Sequence, residues 1–371
     1  MKPLHIVTIG ADLNQKGGIA TFENLILKYA PPEFAVKHIS SHDEGSLLHR
    51  FAVFAICLVE LLSSLLTQTV DIIYIQISDG GSLLRKAIIT QIALIFGKSV
   101  VMHAHGAEFP NTYERLPRRA RGYLSWLFRQ CRAFIVLSSS WKDYYVDKCG
   151  VKTRRVIVMN NPTELPELVP DRAQQQDPIT LIFCGRIGQR KGAFDLLRAY
   201  AQIPPQLQKR SRLILAGDGD LSTAQTLVTE LQVADRVIFP GWIDAETREK
   251  LLAEADIFLL PSYHEGLPMA ILEGMGWGLP IVSTYVGGIP EVIVDNFHGI
   301  LLTPGDIDGL SNAIATLIED RALRLSLGNN AKNSVRSFDI KNYWQDLAKI
   351  FYRASLYHNH LPCGDVKRQL S

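Results

Sequence analysis

Strand-like and helix-like runs alternate twice over along this 371-residue chain, and one proline-rich stretch separates the two series. In the first series, short apolar runs predict strands at Leu4–Ile9, Ile72–Ile77, Ser99–His103, Ala133–Leu137 and Val156–Met159. Amphipathic runs predict helices at Gly18–Tyr29, Leu47–Leu66, Leu83–Phe96, Arg115–Cys131 and Trp141–Lys148. From Asn160 to Pro178, four prolines (Pro162, Pro166, Pro170 and Pro178) interleave with Glu, Asp and Gln, which reads as an extended linker. Alternation then resumes, with strands expected at Thr180–Cys184, Arg212–Ala216, Arg236–Phe239, Ile257–Leu260, Pro280–Ser283 and Ile300–Leu302. The intervening helices are expected at Ala193–Ala201, Thr223–Leu231, Ala245–Ala255, Pro268–Met275, Gly288–Val294 and Ile307–Glu319, with a late helix around Asn342–Tyr357 and a loose tail from His358 to Ser371. Such alternation implies an α/β chain with two Rossmann-like, doubly wound parallel sheets. The expected domains are 1–165, rejoined by the late helix at about 342–357, and 178–341. Ligands in such folds bind at the carboxyl ends of strands, here in a cleft between the domains.

Composition removes several alternatives. A formal net charge of +2 argues against a general nucleic-acid binder, which needs a strongly basic face. The five cysteines (Cys57, Cys131, Cys149, Cys184 and Cys363) lack metal-ligand spacing and suit free thiols in a reducing compartment. The first strand is too short for the apolar core of a signal peptide. Phe51 to Leu66 is apolar but shorter than the ~20 residues of a bilayer span. Glu60, Ser63, Ser64 and Thr67 mark one polar stripe along it, so a largely buried helix and a cytoplasmic protein are expected.

The chemistry concentrates in Ser262-Tyr263-His264-Glu265-Gly266-Leu267-Pro268-Met269-Ala270-Ile271-Leu272-Glu273-Gly274. Pro268 suits a first helical position, so Glu265 stands in the turn before a helix and Glu273 inside it, about 7–8 Å along. Between them a helix N-terminus offers N–H groups to an anion. Two carboxylates around a phosphate-sized hole suit a ligand with both hydroxyls and a diphosphate, as in a nucleotide sugar. Gly185-Arg186-Ile187-Gly188-Gln189-Arg190-Lys191-Gly192 adds a glycine-broken turn with two cations, Arg186 and Lys191, suited to that diphosphate; alone it reads equally well as a solvated turn.

Other segments carry less. Gly17-Gly18 opens a helix after the first strand and permits close approach of a phosphate, though ordinary strand–helix turns look the same. His103 and His105 end a strand facing one way; with no third ligand in reach, one imidazole facing a sugar is expected, His105 rather than His103. Asp218-Gly219-Asp220 superficially fits a metal-binding pair, but its place at a strand end favours a turn. Trp242-Ile243 could flank a nucleobase, and Gly287-Gly288-Ile289-Pro290-Glu291 repeats the glycine-to-helix junction. Six arginines (Arg115, Arg118, Arg119, Arg121, Arg129 and Arg132) stand among Tyr123, Trp126 and Phe128; they suit an anionic membrane surface or an ordinary surface helix equally.

In order, the Gly17-Gly18 loop, His105, the Gly185–Gly192 turn, the Glu265-Gly266-Leu267-Pro268…Glu273 segment and the Gly287–Glu291 turn resemble glycosyltransferase family 4, retaining enzymes of the GT-B fold. The resemblance implies that 178–341 binds a UDP- or GDP-sugar and that 1–165 faces a saccharide or lipid-linked acceptor. It implies diphosphate contacts from Gly17, Gly18, Arg186, Lys191, Gly266 and Leu267, ribose contacts from Glu273, and a nucleobase near Ile243. His105 and Glu265 would lie at the transferred hexose or N-acetylhexosamine, with no metal or other cofactor. Surface polysaccharide assembly, on the inner face of a cytoplasmic membrane, is the implied setting. The competing expectations are epimerisation or phosphorolysis on the same fold, and a catalytically silent nucleotide-sugar-binding subunit.

Overall fold

The computed structural model describes residues 2–67, 70–172 and 177–356. The chain divides into two compact bodies, Met1–Met159 with Lys341–Ser371, and Asn160–Ile340.

The first body runs β1 (Leu4–Gly10), α1 (Gly18–Lys28), β2 (Phe34–Ser40), α2 (Leu47–Thr67), β3 (Ile72–Ile77), α3 (Gly81–Ile95), β4 (Ser99–Ala104), α4 (Phe109–Glu114), α5 (Arg118–Gln130), β5 (Ala133–Val136), α6 (Ser139–Asp147) and β6 (Val156–Val158). Its strands lie parallel in the order β2-β1-β3-β4-β5-β6. The middle strands β3, β4 and β5 are buried at every residue, as expected where helices cover both faces of a parallel sheet.

The second body runs β7 (Ile179–Cys184), α7 (Ala193–Gln202), α8 (Pro205–Lys209), β8 (Ser211–Ala216), α9 (Leu221–Glu230), β9 (Val237–Gly241), α10 (Ala245–Glu254), β10 (Ile257–Leu260), α11 (Met269–Gly276), β11 (Ile281–Thr284), α12 (Ile289–Val292), β12 (Gly299–Leu302), α13 (Ile307–Glu319) and α14 (Arg321–Ser334). Its parallel order is β12-β11-β10-β7-β8-β9. The described part of the stretch read as a linker, up to Arg172, lies on this body: Thr163 bridges to Asp339, and the Arg172 guanidinium donates to the carbonyls of Ala255, Trp277, Leu252 and Ala253. The last helix, α15 (Ile340–Ser355), packs on the first body. There Trp344 is buried, donates from Nε1 to the Ile26 carbonyl at 3.2 Å, and lies 5.5 Å from the Phe34 ring. The expected tail from His358 and Cys363 fall outside the described residues.

The structure corrects several expectations. β2 went unread because its alternating Phe-Ala-Val-Lys-His-Ile-Ser run is short and only half-buried, at the sheet edge. The expected Arg115–Cys131 helix is α5 alone, and it begins only at Arg118. Pro117, in an extended conformation, is the N-cap of α5, and the separate helix α4 closes at Glu114 with Arg115 as its C-cap. Pro268 likewise is the N-cap of α11 (φ −71°, ψ 125°) and not its first helical residue. The expected Gly288–Val294 helix shrinks to α12, since Ile293 is extended. Helices α4, α8 and α14 were not anticipated. The largest correction concerns α2, which is 21 residues long and far from buried. Only Cys57, Leu61, Ser64 and Leu65 are covered, while Leu48, Phe51 and Leu66 are 83%, 70% and 71% exposed. The helix packs on edge strand β2, so only one narrow stripe of it meets the core.

Replacing Trp344 by Ala removes a buried indole and the attachment of α15. A loss of about 3–5 kcal/mol in the stability of the first body is expected by calorimetric unfolding. An unchanged melting profile contradicts this role for α15.

Candidate active site

The second sheet reverses direction beside its first strand. From β7 the chain moves to β8 and β9 on one side, then returns to place β10 on the other. Crevices for ligands open outside the carboxyl ends of strands at such a switch point. The flanking loops are those after β7, ending at Gly192, and after β10, leading to Pro268.

These loops are locked together through backbone. Gly192 has φ 69°, and a Cβ there would come within 2.0 Å of the Pro261 carbonyl oxygen. Tyr263 N donates to the Arg190 carbonyl at 2.9 Å, and Arg190 Nη1 donates to the His264 carbonyl at 3.3 Å. On the other side, Gly287 has φ 55° and its backbone lies where a Cβ would be 2.0 Å from the Glu265 carbonyl oxygen; Gly288 N donates to the Gly266 carbonyl at 2.6 Å. Only glycine provides both the left-handed φ and the absent side chain at these two positions.

The result is a held carboxylate. Glu265 is buried, and its Oε1 accepts from Lys191 Nζ at 2.5 Å and from Ser262 Oγ at 2.8 Å. Lys191 is itself only 15% exposed, so the pair is screened weakly and its orientation is fixed. Arg186 stands further out, 53% exposed, with its Nε 3.5 Å from Asp218 Oδ1. Asp220 caps α9, accepting from Thr223 N at 3.1 Å. The two aspartates are therefore engaged in separate tasks, as the turn reading requires. Among the described residues no three His, Cys, Asp or Glu side chains converge as a metal site.

Glu273 lies within α11, its Oε2 3.3 Å from Arg248 Nε on α10. Burial raises its pKa, and the Arg248 charge opposes that rise. Gly266 and Leu267 are buried immediately before α11, and the Leu267 carbonyl accepts from Asn161 Nδ2 at 2.7 Å. Ile243 is half-buried in the loop between β9 and α10, beside the exposed Trp242. Arg186, Lys191, Glu265, Gly266 and Leu267 thus gather on the two loops flanking one crevice. Arg248 was not singled out from sequence, since it belongs to no recognisable motif, and Ser262 opens the segment read as the site but was given no role in it.

The remaining site residues belong to the first body. Its sheet reverses between β1 and β3, and there a cavity of 410 Å³ is lined by Gly17, Gly18, Lys16, His42, Arg50, Asp79, Arg85 and Lys86, among others. Gly17, with φ 144°, caps α1; a Cβ on it would meet nothing within 4 Å, so the backbone is open to an approaching group. His103 is fully buried and bonded through Nδ1 to Tyr74 Oη at 2.7 Å. His105, just beyond β4, is half-buried, with Nε2 2.9 Å from Gln76 Oε1. Their rings lie 4.0 Å apart. Burial pushes the His105 pKa down, to about 3, and holds His103 well below the ordinary histidine value. Both imidazoles are therefore neutral near pH 7, and a neutral ring can accept or donate a hydrogen bond to a hydroxyl. The cationic wall of the cavity escaped the sequence reading, although Asp79-Gly80-Gly81 before Arg85-Lys86 is another glycine-to-helix junction.

Two family profiles match consecutive stretches of the chain: one described as Glycosyltransferase Family 4 over residues 30–165, and one described as Glycosyl transferases group 1 over residues 166–334. The chain belongs to glycosyltransferase family 4. It is a transferase with the two-domain, Rossmann-like GT-B fold. An uncharacterized glycosyltransferase of Methanocaldococcus jannaschii is 32% identical over 177 residues, 47% of this chain and 44% of that protein. The chain thus matches under half the length of that relative. The UDP-Gal:alpha-D-GlcNAc-diphosphoundecaprenol alpha-1,3-galactosyltransferase of Escherichia coli is 26% identical over 298 residues, 76% of this chain and 75% of the relative. The structure of Anabaena HepE in complex with UDP superposes with a TM-score of 0.72 at 20% identity, covering 95% of this chain and 100% of that one.

The neutral histidines make the first body sensitive to acid. A histidine whose folded pKa lies below its unfolded value binds protons more readily when unfolded, so stability is lost as pH falls from about 6.5 toward the folded pKa. Between pH 7.5 and 5.5, His105→Gln should therefore flatten the stability profile by about 1 kcal/mol in chemical denaturation. A variant profile parallel to the wild type contradicts the depressed pKa.

Proposed function

We propose that the chain is a retaining glycosyltransferase that moves a hexose or N-acetylhexosamine from a UDP- or GDP-sugar to a lipid-linked or saccharide acceptor. The observation that carries this reading is the Lys191–Glu265 pair held at the β7–β10 switch point, with Glu273 further along the same segment. In this reading Lys191 and Arg186 meet the donor diphosphate, and the N–H groups of Gly266 and Leu267 at the start of α11 add to them. Cleavage of the glycosidic bond leaves negative charge on the departing diphosphate, and cations already in place there lower the barrier. Glu265 keeps its carboxylate at the transferred sugar while Lys191 turns toward phosphate, and Glu273 accepts from ribose hydroxyls. Neutral His105 is assigned to the transferred sugar, Gly17 and Gly18 to the diphosphate, and Ile243 to the base.

Support for the donor comes from the structural likeness to a protein crystallised with UDP, and for the acceptor from the E. coli relative that acts on a diphosphoundecaprenol-linked sugar. We propose further that side-chain cations stand in for a metal ion, since Asp218 is engaged with Arg186 and Asp220 with the α9 cap. The four buried free thiols among the described residues suit a cytoplasmic setting.

A thermal-shift screen over UDP- and GDP-sugars tests the donor assignment: at least one should raise the melting temperature, and no shift with any of them contradicts it. With the responding donor, Lys191→Ala should lower kcat/KM by about 10²–10³-fold and the more exposed Arg186→Ala by about tenfold. Retention of full activity by Lys191→Ala removes the phosphate role. Excess EDTA should leave turnover within about twofold of its starting value, where abolition that added Mg²⁺ or Mn²⁺ reverses would show metal-dependent transfer.

A further inference from the structure

No part of the donor reading uses Arg248, yet its guanidinium is turned onto a residue on which that reading depends. Arg248 lies on α10, five residues beyond Ile243, with Nε 3.3 Å from Glu273 Oε2. Among the described residues this is the ion pair that each of them makes. The two side chains are 25% and 14% exposed, so water screens the pair weakly and packing fixes its geometry. Helix α10 is anchored at its start by Asp244, which accepts from Thr247 N at 2.8 Å, and it packs on β7. Strand β7 ends at Cys184, whose buried thiol is acted on by Glu273 and Arg248 alike. Glu273 itself comes from the second turn of α11. The helix that follows the Trp242-Ile243 loop is thereby tied to the carboxylate assigned to ribose, beside the strand that leads into the Gly185–Gly192 turn.

Ribose recognition asks two things of Glu273 that the carboxyl group does not secure alone. The first is charge. A vicinal diol offers two O–H donors; an ionised carboxyl is a pure acceptor, whereas a protonated one brings a competing O–H donor. Burial works against ionisation of Glu273 and is the largest influence on it; Arg248 opposes burial, and Glu249, also on α10, adds to it. Cys184 on β7 is the other titratable group in reach among the described residues. The second need is orientation. A carboxylate turns about its terminal bonds, and a guanidinium on one oxygen restrains it, so that a diol meets acceptors already in place.

We propose that Arg248 is the positioning residue of ribose recognition: it holds Glu273 as an oriented carboxylate for the 2′- and 3′-hydroxyls of the donor nucleotide, and so sets the preference for a ribonucleotide over one lacking those hydroxyls. This rests on the transferase reading above, in which Glu273 meets the ribose, and adds the residue that makes the contact selective. Arg248 touches no ligand atom in this account. Its effect on binding runs through Glu273, which separates it from Arg186 and Lys191, the cations assigned to the diphosphate.

The test is calorimetric titration of the full chain with UDP, GDP and their 2′,3′-dideoxy counterparts, at about pH 8 and about pH 6. The quantity read is the ratio of ribonucleotide to dideoxynucleotide affinity, in which titration of the diphosphate itself cancels. For whichever base binds, the wild-type ratio should be about tenfold or more at both pH values. In Arg248→Gln the dideoxynucleotide should bind within about twofold of its wild-type affinity, while the ratio falls to about threefold at pH 8. Without Arg248 the Glu273 pKa rises further, so the carboxylate takes up a proton as pH falls, and the ratio should drop to within about twofold of unity at pH 6. Glu273→Gln should lose the ratio outright, and Glu273→Gln/Arg248→Gln should bind no worse than Glu273→Gln alone. Equal losses of both nucleotides in Arg248→Gln would overturn the proposal and give Arg248 to the diphosphate or to the fold. An Arg248→Gln ratio equal to that of the wild type would overturn it too, while leaving ribose to Glu273. The wild-type profile needs no variant: a ratio that collapses between pH 8 and pH 6 contradicts a carboxylate kept charged by Arg248. A wild type without preference would remove Glu273 from ribose, and this proposal with it, yet leave nucleotide binding standing. Binding of neither UDP nor GDP would remove both readings together.

Discussion

Backbone packed on backbone at the carboxyl end of the second sheet is the constraint on which the site depends. Gly192 sits against the Pro261 carbonyl, Gly287 against those of Glu265 and Gly266, and Gly217 against that of Gly185. No side chain fits at any of the three. Each also has a positive φ, which costs other residues strain while glycine adopts it freely. The loops after β7, β8, β10 and β11 are consequently drawn together, and Glu265 can be reached by Lys191 across 74 positions of sequence. Removing the close approach at Gly192 or Gly287 would displace the carboxylate without touching it.

The pairing of Lys191 with Glu265 has a chemical meaning beyond stability. A buried ion pair contributes little net stabilisation, because the desolvation of both charges offsets their attraction. Its value lies in preorganisation: an ammonium and a carboxylate already oriented, in a site partly closed to water, need little rearrangement when a charged ligand arrives. The Glu273–Arg248 pair repeats the arrangement deeper in α11. Polar groups that are costly to bury are retained where a ligand would use them.

Much of the architecture was legible in the sequence because α/β alternation is a local pattern. Buried strands such as Ile72–Ile77 and Ile257–Leu260 announce themselves as short apolar runs. The failures are equally physical. The half-buried edge strand Phe34–Ser40 has too little apolar contrast, and Pro117, extended, delays the start of α5 to Arg118 where the charge and aromatic pattern reads as helical from Arg115. Helix α2 misled for a different reason. Its Glu60, Ser63, Ser64 and Thr67 stripe suggested one polar face on a buried helix, yet Ser64 is on the inner side and bonded to Lys37, while the apolar Leu48–Leu66 stripe faces outward. Hydropathy alone cannot say which apolar side a sheet will cover. At the site, motif residues on single loops were readable, whereas partners on other elements were not: Arg248 for Glu273 and the Arg50–Arg85–His42 wall come from separate elements brought together only by folding.

Hydrogen-exchange mass spectrometry on the full chain, with and without the donor that stabilises it, tests the assignment of the β7–β10 switch point most directly. The account predicts that peptides spanning Gly185–Gly192 and Glu265–Leu267 gain protection together on donor binding. Protection confined to other segments, with both of these loops exchanging as in the free protein, would contradict it.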